Sequence, residues 1–146
     1  MFKSILLATD GSAASDHAAS VAVGLARTHG ATLTALYAVD PYPYVGLGEV
    51  NPMGFQAYMS AAQEHAATAH SRIAALCADG GAAVQLEVKL VEDVSAASGI
   101  VQAAQAEGSD LIVVGSHGRT GIARLMLGSV AAKVVAESPV PVLVVR

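Results

Sequence analysis

The stretch Asp110–Val130, DLIVVGSHGRTGIARLMLGSV, holds in order a short apolar run, a glycine turn, a loop and a glycine-serine pair that opens a helix. Leu111 to Val114 is four apolar residues, two of them valine, which suits a strand buried on both faces of a parallel sheet. Gly115 and Gly118 carry no Cβ, so the chain there is expected to turn through positive φ and to lie close to a ligand with its N–H groups outward, an anion cradle. Gly128 and Ser129 precede the apolar-periodic Val130, Ala131, Val134 and Val135. This pair is therefore expected at a helix N-terminus, where free N–H groups and the helix dipole favour a phosphate. Glycines also mark plain turns, and Ser129 is also an ordinary N-cap.

Working outward, Ile5 to Ala8 lies in an apolar run from Phe2 to Thr9 that ends at Asp10-Gly11-Ser12, a central strand followed by a turn. Ser12 or Ser15 caps a helix whose stripe of Ala14, Ala18, Val21, Ala22 and Leu25 runs to His29 and stops at Gly30. Thr32 to Val39 is the second strand. Asp40 to Gly54 holds three prolines and three glycines and reads as a long loop, with Tyr42, Tyr44 and Phe55 in or beside it. From Phe55 a helical stripe through Tyr58, Ala62, Ala66, Ala69, Ile73 and Leu76 ends at Gly80-Gly81. His65 and His70 are five apart, off a common face, and read as ordinary helix residues.

Val84, Leu86, Val88 and Leu90 alternate with polar residues, the pattern of an edge strand with one wet face. Asp93 is the expected cap of a helix carrying Ala97, Ile100, Val101 and Ala104 and ending at Gly108. The last helix spans Ser129 to Glu137, and Pro139 and Pro141 lead into a final apolar strand, Val140 to Val145, where Pro141 fits only near the start or on an edge. Five strands alternating with four helices predict an α/β fold: an open, doubly wound, mostly parallel sheet with right-handed crossovers and helices on both faces.

A chain of 146 residues is the size of one domain, here 1–146. Its apolar residues are periodic rather than continuous, with no run near the ~20 residues that cross a bilayer. Met1-Phe2-Lys3-Ser4 runs directly into a strand pattern, so a signal peptide is not expected and the cytoplasm is the expected location. A net charge of -4 and the absence of a basic stripe argue against a nucleic-acid surface. The single cysteine, Cys77, excludes an internal disulfide and a thiolate-rich metal site, and its place on an apolar helix face predicts a core residue.

The pattern Gly115-x-x-Gly118, nine residues, Gly128-Ser129, together with Ile5-Leu6-Leu7-Ala8-Thr9-Asp10-Gly11-Ser12 and Pro139-Val140-Pro141-Val142-Leu143-Val144-Val145, resembles the universal stress protein family over the whole chain. The resemblance implies strand order 3-2-1-4-5 in a Rossmann-like sheet, with a crevice where strands one and four adjoin. It implies an adenine nucleotide site in which Ala8, Thr9, Asp10 and Val39 surround adenine and ribose. Gly115, Ser116, His117, Gly118, Arg119, Thr120 and Gly121, with Gly128, Ser129 and Val130, then hold the phosphates. ATP, alone or with Mg, is the implied ligand, and a homodimer through the C-terminal strand is the implied assembly.

Physically, Asp10 can accept from an adenine amino group or a ribose hydroxyl and Val39 supplies an apolar wall, while Asp10 before Gly11 is also a common turn residue. Arg119 is placed to pair with phosphate oxygens, whereas Arg124 can simply face water. Nothing in the sequence orients His117 as a general base, so no catalytic residue is assigned. GxxxxGK[ST], first-strand GxGxxG and GxSxG signatures are all absent. One departure from the family is Val91-Glu92-Asp93-Val94, where many relatives carry a Gly and Pro turn. Three functions stay open: an ATP-binding stress or signalling protein, a homologue acting by protein contacts without nucleotide, and a slow ATPase.

Overall fold

The structure is a computed structural model that describes residues 1–40, 52–92, 94–118 and 126–146. Strands β1 (Ser4–Thr9), β2 (Thr32–Ala38), β3 (Leu86–Val91), β4 (Leu111–Gly115) and β5 (Val142–Val145) alternate with helices α1 (Ala13–His29), α2 (Pro52–Ala78), α3 (Ala96–Glu107) and α4 (Ser129–Glu137). All four strand pairings are parallel and the order is β3-β2-β1-β4-β5. The fold is thus the open α/β sheet that the sequence and the resemblance imply.

Alternate side chains along each strand go to opposite faces. Ile5, Leu7, Leu33, Ala35 and Val113 pack with α1 and the C-terminal half of α2, while Leu6, Leu36, Ile112 and Val114 pack with α3 and α4. The division of labour is consistent: the strands supply bulk, and the helices supply small residues where they meet it. Ala18, Ala19, Ala22 and Ala26 of α1 are all buried, so the helix backbone can approach the sheet closely while Ile5 and Leu7 fill the space between. Ser12 caps α1 by accepting from the Ser15 amide at 3.2 Å, and Gly30, at φ 65, ends it.

The structure departs from the expected elements in several places, among them the final strand, which starts at Val142 rather than Val140. Helix α2 starts at Pro52 rather than Phe55, inside the stretch read as loop, because proline at a first helical turn sacrifices no hydrogen bond. The cap of α3 is Ser95, while Asp93 lies outside the described residues. Strand β3 is exposed on both faces: Val88 and Leu90, expected inward, are 54% and 37% exposed. On that face only Leu86, at the start of the strand, packs into the core beside Ile73 and Cys77 of α2, while nearer the carboxyl edge Tyr37 and Val39 pack against Ala66 and Ala69. On the opposite face of β3, Lys89 forms an ion pair with Glu107 at the C-terminal end of α3. That lysine offsets an acidic side chain placed at the unfavourable end of the helix dipole.

Arg27 of α1 secures the far end of α2. Its Nε donates to the Ala82 carbonyl at 2.8 Å and its Nη2 to those of Asp79 at 2.7 Å and Leu76 at 3.1 Å, groups that the end of a helix leaves unpaired. Cys77 is buried beside it, as its helix face predicts; burial pushes the thiol pKa up and the Arg27 charge opposes that shift. Among the described residues no helix is long and apolar enough to cross a membrane.

His70 lies on α2 against β2, with Nε2 buried and unpaired. Burial lowers its pKa from the ordinary 6.5, and a hydrogen bond to the Ala35 backbone only partly opposes this. The fold therefore prefers the neutral ring, and as pH falls through 6.5 the unfolded chain takes up the proton first. Stability is complete above that pH and declines below it. Urea titrations between about pH 7 and about pH 5.5 are expected to show a falling midpoint for the wild type and a shallower fall for His70→Gln; equal slopes would contradict the assignment.

Candidate functional site

The switch point of this sheet is β1, because the connection through α1 leaves it on one face and the connection into β4 returns on the other. At its carboxyl end Thr9 and Asp10 feed a turn knitted by short-range hydrogen bonds. Thr9 Oγ1 lies 3.1 Å from Ser15 Oγ and accepts from the Gly11 amide at 3.2 Å, and Asp10 Oδ1 accepts from the Ser12 amide at 2.9 Å. This is an Asx turn, in which a short side chain stands in for a backbone acceptor. It aims the Asp10 carboxyl across the crevice toward Gly118: a Cβ built at Gly118 would fall 2.7 Å from Asp10 Oδ2.

The two glycine clusters meet. The Gly128 amide donates to the Ser116 carbonyl at 2.7 Å, and a Cβ at Gly128 would stand 3.1 Å from that oxygen and 3.2 Å from the His117 Cα. Gly118 and Gly128 thus serve close approach, and neither Gly115 nor Gly118 has the positive φ expected of it; a Cβ at Gly115 would make only ordinary contacts, the nearest at 3.4 Å. The described positive-φ glycines are Gly11, Gly30, Gly80, Gly81 and Gly108, which turn the chain or end helices. Bringing Gly128 onto Ser116 sets the N-terminus of α4 beside the end of β4. The Ser116 amide is also engaged, donating to the Val145 carbonyl at 2.7 Å, which ties the loop to β5. Amides of Ser116 and Gly128 thus hold the cradle together, and the first-turn amides of α4 from Ser129 onward are the ones aimed at the crevice.

These elements enclose a cleft of about 790 Å³, within the usual range for small-molecule sites. Ala8, Thr9, Asp10, Val39, Gly115, His117, Gly118, Gly128, Ser129 and Val130 all line it. Ser116 does not; it is buried behind the cleft, with its Oγ 3.0 Å from His117 Nδ1. Arg119, Thr120, Gly121 and Arg124 lie outside the described residues. Two walls go beyond the residues expected from the sequence: Tyr58, Ala62 and His65 of α2, and Ala96 and Ile100 of α3. The signal for the first is the apolar stripe of α2, which runs past the sheet and continues over its carboxyl edge. The charged side chains among the described lining residues are Asp10 and Asp40, so a polyphosphate would meet helix-end amides there rather than a lysine.

The universal stress protein family model matches residues 1–146. The chain belongs to this family. Over 147 aligned residues it is 41% identical to the universal stress protein in QAH/OAS sulfhydrylase 3'region of Thermus aquaticus, covering 100% of both chains. Among solved structures, the universal stress protein UspA from Lactobacillus plantarum superposes with a TM-score of 0.80 at 27% identity, covering 99% of this chain and 98% of that one. A universal stress protein solved in complex with cAMP superposes with a TM-score of 0.67 at 27% identity, covering 99% and 97%.

The tight fit at Gly128 separates it from other glycines of the chain. At Gly24, in the middle of α1, an added Cβ would have nothing within 4 Å. Gly24→Ala is expected to stabilise by about 0.5–1 kcal/mol through helix propensity, whereas Gly128→Ala forces backbone apart and costs about 1–3 kcal/mol. Thermal melts of the two variants should move in opposite directions from the wild type.

Proposed function

We propose that the protein binds ATP in the cleft at the strand switch point and acts as a nucleotide-responsive stress or signalling protein. The observation that carries this reading is the Gly128–Ser116 hydrogen bond, which brings the N-terminus of α4 against the end of β4, opposite Asp10. The cAMP complex of a relative supports an adenine nucleotide as ligand. In this reading Ala8, Thr9, Asp10 and Val39 receive adenine and ribose, and Gly115, His117 and Gly118 with the α4 start at Ser129 and Val130 receive the phosphates, while Ser116 and the Gly128 amide hold the cradle from behind. Arg119 supplies the positive charge that the described lining lacks. Among the described residues no three His, Cys, Asp or Glu side chains gather as metal ligands; Mg is proposed to enter on the phosphates.

The site is proposed to hold rather than to turn over. Phosphates fixed by backbone amides need no chemistry. Calorimetry on protein freed of copurified nucleotide, with and without Mg, is expected to show ATP binding, and a phosphate-release assay no sustained turnover. Absence of ATP binding in both conditions leaves the contact-only function, and multiple turnovers abolished by Asp10→Asn leave the slow ATPase.

The proposed assembly is a homodimer through β5. Among the described residues no strand lies beside its outer edge, and Val142, Leu143 and Val144 are only half-buried although apolar. Antiparallel pairing of two copies across a two-fold axis would satisfy both edges. Light scattering at micromolar concentration is expected to give a dimer for the wild type and a monomer for Val144→Lys; a monomeric wild type removes the proposal.

A further inference from the structure

Helix α2 walls the cleft with its N-terminal half and also grips the turn that carries Asp10. Arg72, two helical turns beyond His65, donates from Nη2 to the Gly11 carbonyl at 3.0 Å, and its Nη1 lies 3.4 Å from Asp16 Oδ2. The helix is close enough that a Cβ at Gly11 would stand 3.8 Å from the Ala69 Cβ and 3.7 Å from Arg72 Nη2. Gly11 sits at φ +76, a conformation that glycine adopts readily, and Arg72 holds its carbonyl. In this turn the Ser12 amide reaches Asp10 Oδ1 and the carboxyl faces Gly118.

We propose that Arg72 is a positioning residue for the nucleotide site: through the Gly11 carbonyl it orients Asp10, and so couples α2, the wall of the cleft, to the ligand on the other side of the turn. The inference rests on the nucleotide reading and extends it to a residue that touches no ligand. Its ion pair with Asp16 is not the agent. The two side chains are 48% and 42% exposed, and pairs of that kind contribute little. The carbonyl contact, also at the surface, differs in what it holds: the backbone between Asp10 and the cap of α1.

The contrast between the two contacts supplies the test, with ATP as the probe. Arg72→Ala is expected to weaken ATP binding about 5- to 20-fold with the protein still folded, while Asp16→Asn leaves affinity within about 2-fold. In an Asp10→Asn background the Arg72→Ala penalty should shrink to about 2-fold or less, because the group being oriented has lost its charge. Hydrogen exchange without nucleotide should show faster exchange of the amides of residues 11–16 in Arg72→Ala. Unchanged affinity in Arg72→Ala, an equal penalty in both backgrounds, or unchanged exchange in the turn would each overturn the inference. A wild type that binds no ATP would instead overturn the nucleotide reading, and is told apart because it appears before any substitution is made.

Discussion

Parallel pairing of β1 with β4, Ile5 opposite Leu111, Leu6 opposite Ile112 and Leu7 opposite Val113, is the contact on which the rest of the molecule depends. It joins segments roughly a hundred residues apart, with loop-closure entropy opposing it, and it is held because Ile5, Leu6, Leu7, Ile112 and Val113 are all fully buried. Asp110 adds a polar anchor at the start of the pair by accepting from the Lys3 amide at 2.8 Å. Once β1 lies between β2 and β4, α1, which follows β1, and α3, which precedes β4, lie on opposite faces, and a crevice opens where they part. The site follows from a packing requirement of the sheet.

What fills the crevice is decided by how closely the backbone closes around it. Missing side chains at Gly118 and Gly128 let Asp10 and the Ser116–His117 backbone occupy space that any Cβ would take. The loop after β4 is anchored on both sides, through the Ser116 amide to β5 and through the Ser116 carbonyl to α4. A residue buried behind the cleft thus sets the position of the helix end that faces it. The amides that build such a cradle are separate from those left to receive an anion, a distinction invisible in a motif.

Helix α2 connects the core to the cleft. Its C-terminal half belongs to the core, with Ile73 and Cys77 buried and Arg27 capping the end, while its N-terminal half extends over the carboxyl edge of the sheet and lines the cleft. A long helix built on alanine can do both because small residues let it lie close to β2 and still project beyond it. At the edge of the sheet β3 keeps Val88 and Leu90 exposed, with only Leu86 of that face packed into the core beside Ile73 and Cys77.

Element order, the buried strands and the glycine pattern were legible from residues alone, because apolar period, glycine stops and proline breaks act locally. Ile5–Ala8 and Leu111–Val114 read as inner strands, and Gly30 and Gly108 end their helices in the left-handed conformation such residues favour. The resemblance added strand order and the set of site residues. Tertiary structure decided what depends on distances between segments remote in sequence: that Gly128 meets Ser116, that Gly118 meets Asp10, that Val88 and Leu90 stay exposed, and that Arg72 reaches Gly11. A sequence states which residues are small, apolar or charged, but close approach is a property of pairs, and those pairs form only when the sheet has brought their strands together.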